Sequence, residues 1–238
     1  MERARRLTSD PHILVVTVRA HRHEANEALA AFAEVRRLEL PANRDTTSGI
    51  AVPLRFILDR DPEAEVVVMP SDHAISNRAL FTGTVFEALA VVRREPDRMA
   101  LLGAPPSGYD DGVGWLVPES NATPGRWPGV ACFREKPDPR EAAQLAASGA
   151  RVNTFVFTAR ATVLAAAIAQ HCPETWRAMA SPVGLDAAFA ALPTSSFSRD
   201  VLEQSAQHMT LVTLPAAAGW SDIGTPERLA RALRVAAA

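Results

Sequence analysis

Glu65-Val66-Val67-Val68-Met69, stopped by Pro70 and followed by Ser71-Asp72-His73, reads as a buried strand that delivers a polar cluster at its carboxyl end. Upstream, His12-Ile13-Leu14-Val15-Val16-Thr17-Val18 is a second β-branched run of the same buried kind. Between the two lie an Ala-rich helix over His21 to Phe32, a short strand over Arg36 to Leu40 ending at Pro41, a polar loop from Asn43 to Gly49, and a helix from Ile50 to Leu58. Downstream come an amphipathic helix over Leu80 to Arg93 and a strand over Met99 to Gly103. This βαβα alternation predicts an α/β fold, doubly wound around a mainly parallel sheet.

The rest of the chain extends the pattern. Residues 105 to 128 are rich in Pro and Gly and read as an insertion over the sheet edge, with one strand from Val113 to Val117. Strands are predicted at Val130 to Glu135, Val152 to Phe157 and Met209 to Leu214. Helices are predicted at Pro139 to Ala147, with Gly149 as its C′ residue, at Ala159 to Gln170, and at Thr225 to Arg234. The stretch from Pro173 to Val201 reads as helical and loop-like, and no repeat or long linker breaks residues 1–238 into separate domains.

Composition excludes several classes. The 238 residues carry a formal net charge of -2, which argues against nucleic acid or an anionic membrane surface as partner. Hydrophobic residues make up 47%, enough for a core, yet the longest apolar runs are far too short to span a bilayer. No signal peptide is visible, and Cys132 and Cys172 make neither a disulfide framework nor a metal cluster, so a reducing cytoplasm is the expected compartment. Lys136 is the single lysine among 25 basic residues, so it needs its own explanation.

In open α/β sheets ligands bind beyond the carboxyl ends of the strands. The residues found there are Asp72 and His73, Glu135 and Lys136, Asn153 and Thr154, and Trp220-Ser221-Asp222-Ile223-Gly224. Asp72 and Asp222 together fit a clamp for one Mg²⁺, which takes few carboxylates plus phosphate oxygens and water. Each acid alone has a plainer use: Asp72 as a helix N-cap, Asp222 in a turn. Lys136, read as a buried or half-buried ammonium, suits a phosphate; a solvated lysine is its ordinary alternative. Glu135 suits sugar hydroxyls, or is a charge at a strand end. His73 ranks first as a group satisfied by its neighbours and second as a general base. Cys132 and Cys172 read as buried structural thiols, and Trp220 as a ligand platform or a core residue.

Four motifs in order, Pro70-Ser71-Asp72-His73, Phe133-Arg134-Glu135-Lys136-Pro137, Val152-Asn153-Thr154-Phe155-Val156-Phe157 and Trp220-Ser221-Asp222-Ile223-Gly224, resemble the sugar-1-phosphate nucleotidylyltransferases, the mannose-1-phosphate guanylyltransferase branch most. Pro41-Ala42-Asn43-Arg44-Asp45-Thr46-Thr47 is similar to the nucleotide loop of that family, and Gly112-Val113-Gly114-Trp115 to its glycine turn. The resemblance implies a Rossmann-like, nucleotide-diphospho-sugar transferase-like domain. It implies transfer of GMP from GTP to mannose 1-phosphate, giving GDP-mannose and pyrophosphate. Asp72 and Asp222 would hold Mg²⁺, and Lys136 would meet the sugar phosphate. Glu135, Asn153 and the backbone at Gly112 would contact the hexose; Arg44, Thr46 and Ser71 would line the base and ribose. A nucleoside triphosphate and a sugar 1-phosphate would be the partners, and a homo-oligomer stays open.

Departures from the family pattern are specific. Asp45 stands where Asn belongs, Trp115 replaces Tyr, and Thr154-Phe155 replaces Ser-Gly, filling space the family leaves to the sugar. The family opens with a strand and a glycine-rich triphosphate loop, whereas the first glycine here is Gly49. The first βα unit is therefore expected to be missing, with edges left unpaired on its neighbours. A misassigned start or a fragmentary gene ranks ahead of a non-catalytic sugar-nucleotide-binding or regulatory homologue. Little or no turnover is expected of the chain as it stands. A metal-dependent hydrolase built on Asp72, His73 and Asp222 ranks last.

Overall fold

The computed structural model describes residues 1–107, 112–120, 125–179, 184–224, 226 and 228–230. In chain order the elements are α1 (Glu2–Arg5), β1 (Leu14–Val18), α2 (Arg22–Leu29), β2 (Arg36–Leu40), α3 (Asp45–Leu58), β3 (Glu65–Val68), β4 (His73–Ile75), α4 (Arg78–Arg94), β5 (Met99–Ala104), β6 (Gly114–Pro118) and β7 (Val130–Glu135). They continue with α5 (Pro139–Ala147), β8 (Arg151–Arg160), α6 (Ala161–His171), α7 (Pro173–Met179), α8 (Leu185–Ala191), a π-helical turn (Phe197–Leu202), β9 (Met209–Thr213) and β10 (Trp220–Asp222). Tyr109 and most of the closing helix expected at Thr225 to Arg234 lie outside the described residues. No described helix is long and apolar enough to cross a membrane.

The chain divides into two compact units. The first comprises Met1–Ala64 and Ala161–Gln204. Its β1 and β2 form a parallel two-stranded sheet in the register Leu14↔Arg36 to Val18↔Leu40. Val16, Val18 and Val52 pack against Leu40, Phe189 and Leu192, so α8 closes this small core. β1 is half-buried along its whole length, not fully buried as its composition predicts. Among the described residues it pairs with β2 alone.

The second unit comprises Glu65–Arg160 and Ser205–Ala238. Its sheet runs β7-β6-β8-β5-β9, with β3 also on β8. β5 is buried throughout, from Met99 to Ala104. The α/β class is as expected, and β3, β5, β6 and β9 run in one direction with β7 and β8 opposed to them. β5 and β9 are parallel, while β3–β8, β5–β8, β6–β7 and β6–β8 are antiparallel. The cause is β8: ten residues long, it meets three other strands and opposes all of them. Element alternation alone carries no information on that direction. β3, like β1, is half-buried and has one exposed residue.

The helices of this unit follow from local chemistry. Asn77 caps α4, its side-chain oxygen accepting the Leu80 N–H at 3.1 Å. The inward face of α4 is Phe81, Thr84, Val85, Ala88, Leu89 and Val92, at helical spacing. Asp138 caps α5 by accepting the Glu141 N–H at 2.8 Å, with Pro139 at the first helical position. α5 ends through Gly149, whose φ of +85° lets the Ala150 N–H reach back to the Leu145 carbonyl at 3.2 Å.

Candidate functional site

Asp72 and Asp222 sit on a small antiparallel ladder of their own. Trp220 pairs with Ile75, Ser221 with Ala74 and Asp222 with His73, so Asp72 immediately precedes the residue opposite Asp222. Both segments read only as polar clusters beyond strand ends in the sequence, because three-residue strands carry no periodicity. Asp72 caps no helix: β4 follows it, and the cap of α4 is Asn77. Asp222 does shape a turn, since its Oδ1 accepts the Gly224 N–H at 2.7 Å. Its Oδ2 pairs with the Arg228 guanidinium at 2.5 Å.

The two carboxylates border one glycine. A Cβ on Gly224 would lie 3.0 Å from Asp222 Oδ1 and 3.9 Å from Asp72 Oδ2. One oxygen from each acid thus borders Gly224, where a side chain would crowd Asp222 Oδ1. The Arg228 guanidinium paired with Asp222 Oδ2 would compete with a cation for that carboxylate. Hard carboxylate oxygens in that arrangement fit a divalent cation such as Mg²⁺. Among the described residues no group of three or more His, Cys, Asp and Glu side chains could hold a metal, so phosphate oxygens and water would complete its shell.

His73 is satisfied locally. Its Nδ1 accepts the Trp220 indole N–H at 3.1 Å, and the rings meet edge to face with centroids 5.3 Å apart. That bond assigns the neutral ring's proton to Nε2 and takes Nδ1 away from any role as a base. Trp220 itself packs on the cluster of Val113, Trp115, Ala142, Ala150 and Val152. It is a core residue on that face, and it ties the acid ladder to the end of the sheet where β6 begins.

That sheet end gathers the other expected residues of this unit. Gly114 stands opposite Glu135, and Trp115 opposite Val152, the residue before Asn153. A Cβ on Gly114 would meet Glu135 Oε2 at 2.7 Å, so the Glu135 carboxylate closes over the glycine. The Lys136 N–H is donated to the Val113 carbonyl at 3.1 Å, next to the exposed Gly112. Lys136 is exposed, a correction to the buried or half-buried ammonium expected. β7 ends at Glu135, the chain turns through a φ of 50° at Lys136, and Pro137 takes the buried position. Ser71 is exposed beside Asp72.

Asn153 is buried at a bulge. Gly103 pairs with Asn153 and Leu101 with Phe157, so β8 carries two extra residues against β5. Within the bulge Asn153 Oδ1 accepts the Phe155 N–H at 3.1 Å, and Thr154 donates its hydroxyl to the Leu102 carbonyl at 2.7 Å. Phe155 has a φ of 54°, a conformation bulky side chains rarely adopt. Its ring meets Phe157 edge to face at 5.8 Å. Among the described residues Asp45, Lys136 and Phe155 are the non-glycine residues with positive φ, and each falls in a different one of the motifs singled out by sequence. Backbone strain of this kind concentrates at functional sites.

Arg44 and Thr46 belong to the first unit and are held there. Arg44 Nε donates to the Phe189 carbonyl at 3.0 Å, and Thr46 Oγ1 accepts the Phe197 N–H at 2.8 Å. α3 starts at Asp45, not at Ile50, with no side-chain cap; in its first turn Ser48 Oγ donates to the Asp45 carbonyl at 3.0 Å. The same unit has a cavity of about 520 Å³ lined by Cys172, Ser195, Arg199, Asp200 and neighbours, which sequence reading missed. On its wall Ser195 donates to Asp200 at 2.7 Å, and the buried Cys172 thiol lies 3.3 Å from Ser195 Oγ. Cys132, expected buried, is only half-buried on β7.

Residues 4–237 match the Nucleotidyl transferase family. The alginate biosynthesis protein AlgA of Pseudomonas fluorescens is 28% identical over 226 residues, covering 89% of this chain and 46% of that protein. The xanthan biosynthesis protein XanB of Xanthomonas campestris pv. campestris is 30% identical over 226 residues, covering 89% and 47%. The mannose-1-phosphate guanylyltransferase ManC of Salmonella typhimurium is 29% identical over 210 residues, covering 78% and 41%. The chain thus spans less than half the length of these curated relatives. Among solved structures, one described as mannose-1-phosphate geranyltransferase from Thermus thermophilus superposes with a TM-score of 0.85 at 23% identity, covering 98% of this chain and 67% of that one. That likeness shows the fold. By the extent of the sequence match, the chain belongs to the Nucleotidyl transferase family.

Proposed function

We propose that the chain carries the site of a mannose-1-phosphate guanylyltransferase. An oxygen of the sugar phosphate attacks the α-phosphorus of GTP in line; the new P–O bond gives GDP-mannose, and the bond to pyrophosphate breaks. The reaction is one of positioning and charge neutralisation. Asp72 and Asp222 are the residues that would hold Mg²⁺, which when bound neutralises phosphate charge. Lys136, exposed and free to reach, meets the sugar phosphate. Glu135, Asn153 and the Gly112 backbone bind the hexose hydroxyls. Ser71, Arg44 and Thr46 are assigned to the nucleotide, the last two through the backbone they fix.

The observation that carries this reading is that Asp72 and Asp222 each bring an oxygen beside Gly224. The test is calorimetric titration of the chain with GDP-mannose, with and without Mg²⁺, beside an assay of pyrophosphate release from GTP and mannose 1-phosphate. Metal-dependent uptake of GDP-mannose is expected, with little turnover from these 238 residues, whose first glycine is Gly49. Absence of binding sinks the reading; brisk turnover sinks the statement about activity.

A second reading, a sugar-nucleotide binder without catalysis, is favoured by Phe155. A bulky ring in the left-handed region stands two residues after Asn153, where the resembled motif has glycine and leaves room for the sugar. It expects GDP-mannose uptake with no turnover even when the concentrations of GTP and mannose 1-phosphate are saturating.

A further inference from the structure

Taking the cation reading of Asp72 and Asp222 as its basis, we infer that Trp220 and His73 form a latch that positions the two acids. The ladder that brings the acids together has three residue pairs. A two-stranded ladder that short does not hold itself in water. One end is anchored by backbone bonds: the Ser76 and Asn77 N–H groups donate to the Ala218 carbonyl at 3.1 and 2.9 Å. The acids sit at the other end, at Asp222↔His73.

Register decides what holds that end. Side chains of paired residues, and of residues two apart, share a face. Trp220, His73 and Asp222 therefore lie on one face, with Trp220 diagonal to His73 and His73 directly opposite Asp222. The Trp220 indole is fixed from behind by the Val113 and Trp115 cluster. From that fixed base its N–H donates to His73 Nδ1 at 3.1 Å, with the rings edge to face. The bond orients the imidazole and, through the backbone of His73, sets both Asp72, its neighbour in sequence, and Asp222, its partner across the ladder. Trp220 and His73 are positioning residues in this scheme; neither touches the cation. Groups of this kind change metal affinity without supplying a ligand.

The test is Mn²⁺ binding to the full chain by electron paramagnetic resonance. Trp220→Phe keeps the packed ring and deletes the N–H donor; His73→Ala deletes the acceptor; His73→Gln restores one. Trp220→Phe and His73→Ala should each weaken Mn²⁺ binding about ten-fold, and His73→Gln should stay within about two-fold of wild type. The indole N–H resonance of Trp220, identified by its loss in Trp220→Phe, should move in His73→Ala and not in His73→Gln. If wild type binds Mn²⁺, Asp72→Asn loses it, and Trp220→Phe binds as wild type does, the latch is overturned and the cation reading stands. If wild type binds none, the cation reading falls and takes the latch with it.

Discussion

Asp222 Oδ1 and Asp72 Oδ2 stand 3.0 and 3.9 Å from the place a Cβ would occupy on Gly224, so both acids border the same glycine. Gly224→Ala puts that methyl against Asp222 Oδ1, which already accepts the N–H of the same residue at 2.7 Å. The carboxylate has to give way by a few tenths of an ångström. Mn²⁺ affinity should drop by roughly three- to ten-fold. Melting temperature should change little, because Gly224 is exposed.

The left-handed backbone at Phe155 predicts an inverted ranking of two small substitutions. In an ordinary strand Ala is more stable than Gly. At a φ of 54° Gly should be the more stable by about 1 kcal/mol, since only Ala carries the steric penalty of that region. Both variants lose the Phe157 ring contact equally, so the comparison isolates the backbone. Urea unfolding of Phe155→Gly and Phe155→Ala measures the difference; Ala the more stable would show that the bulge is not held as described.

Glu39 predicts an acid-sensitive contribution in the first unit. Its carboxyl is held down to about 2, first by the hydrogen bond from Arg22 and then by the charges of Arg22 and Arg37. In the unfolded chain the same group titrates near 4.3, roughly the ordinary glutamate value. The lowered value means the stabilisation is full above the unfolded value and is lost as pH falls toward about 2. Glu39→Gln should flatten the dependence of the urea midpoint on pH in that interval and leave the slope above pH about 5 unchanged.

Much of the fold was legible in the sequence. β2, β7 and α5 have the bounds that residue patterning predicts, and Gly149 marks the C-terminal end of α5 as expected. What stayed hidden has physical reasons. The direction of β8 depends on its neighbours in space, so alternation predicts the mainly parallel sheet but not that β8 opposes three of its strands. The β4–β10 ladder has three residue pairs, too few for a periodic pattern, so its segments read only as polar clusters beyond strand ends. Asp72 and Asp222 were legible as a pair because both follow strands and are acidic. Arg228, Gly224 and the Trp220–His73 bond were not, because their roles come from contacts across the chain. Lys136 stood out by being the single lysine, but its exposure follows from a turn that composition does not show.

The most direct check on the account is a Mn²⁺ titration of the wild-type chain against Asp72→Asn and Asp222→Asn, with each protein shown to be folded by its melting curve. One bound Mn²⁺ in wild type, weakened at least about ten-fold by either substitution, is the predicted result. Equal Mn²⁺ binding by all three proteins would contradict it.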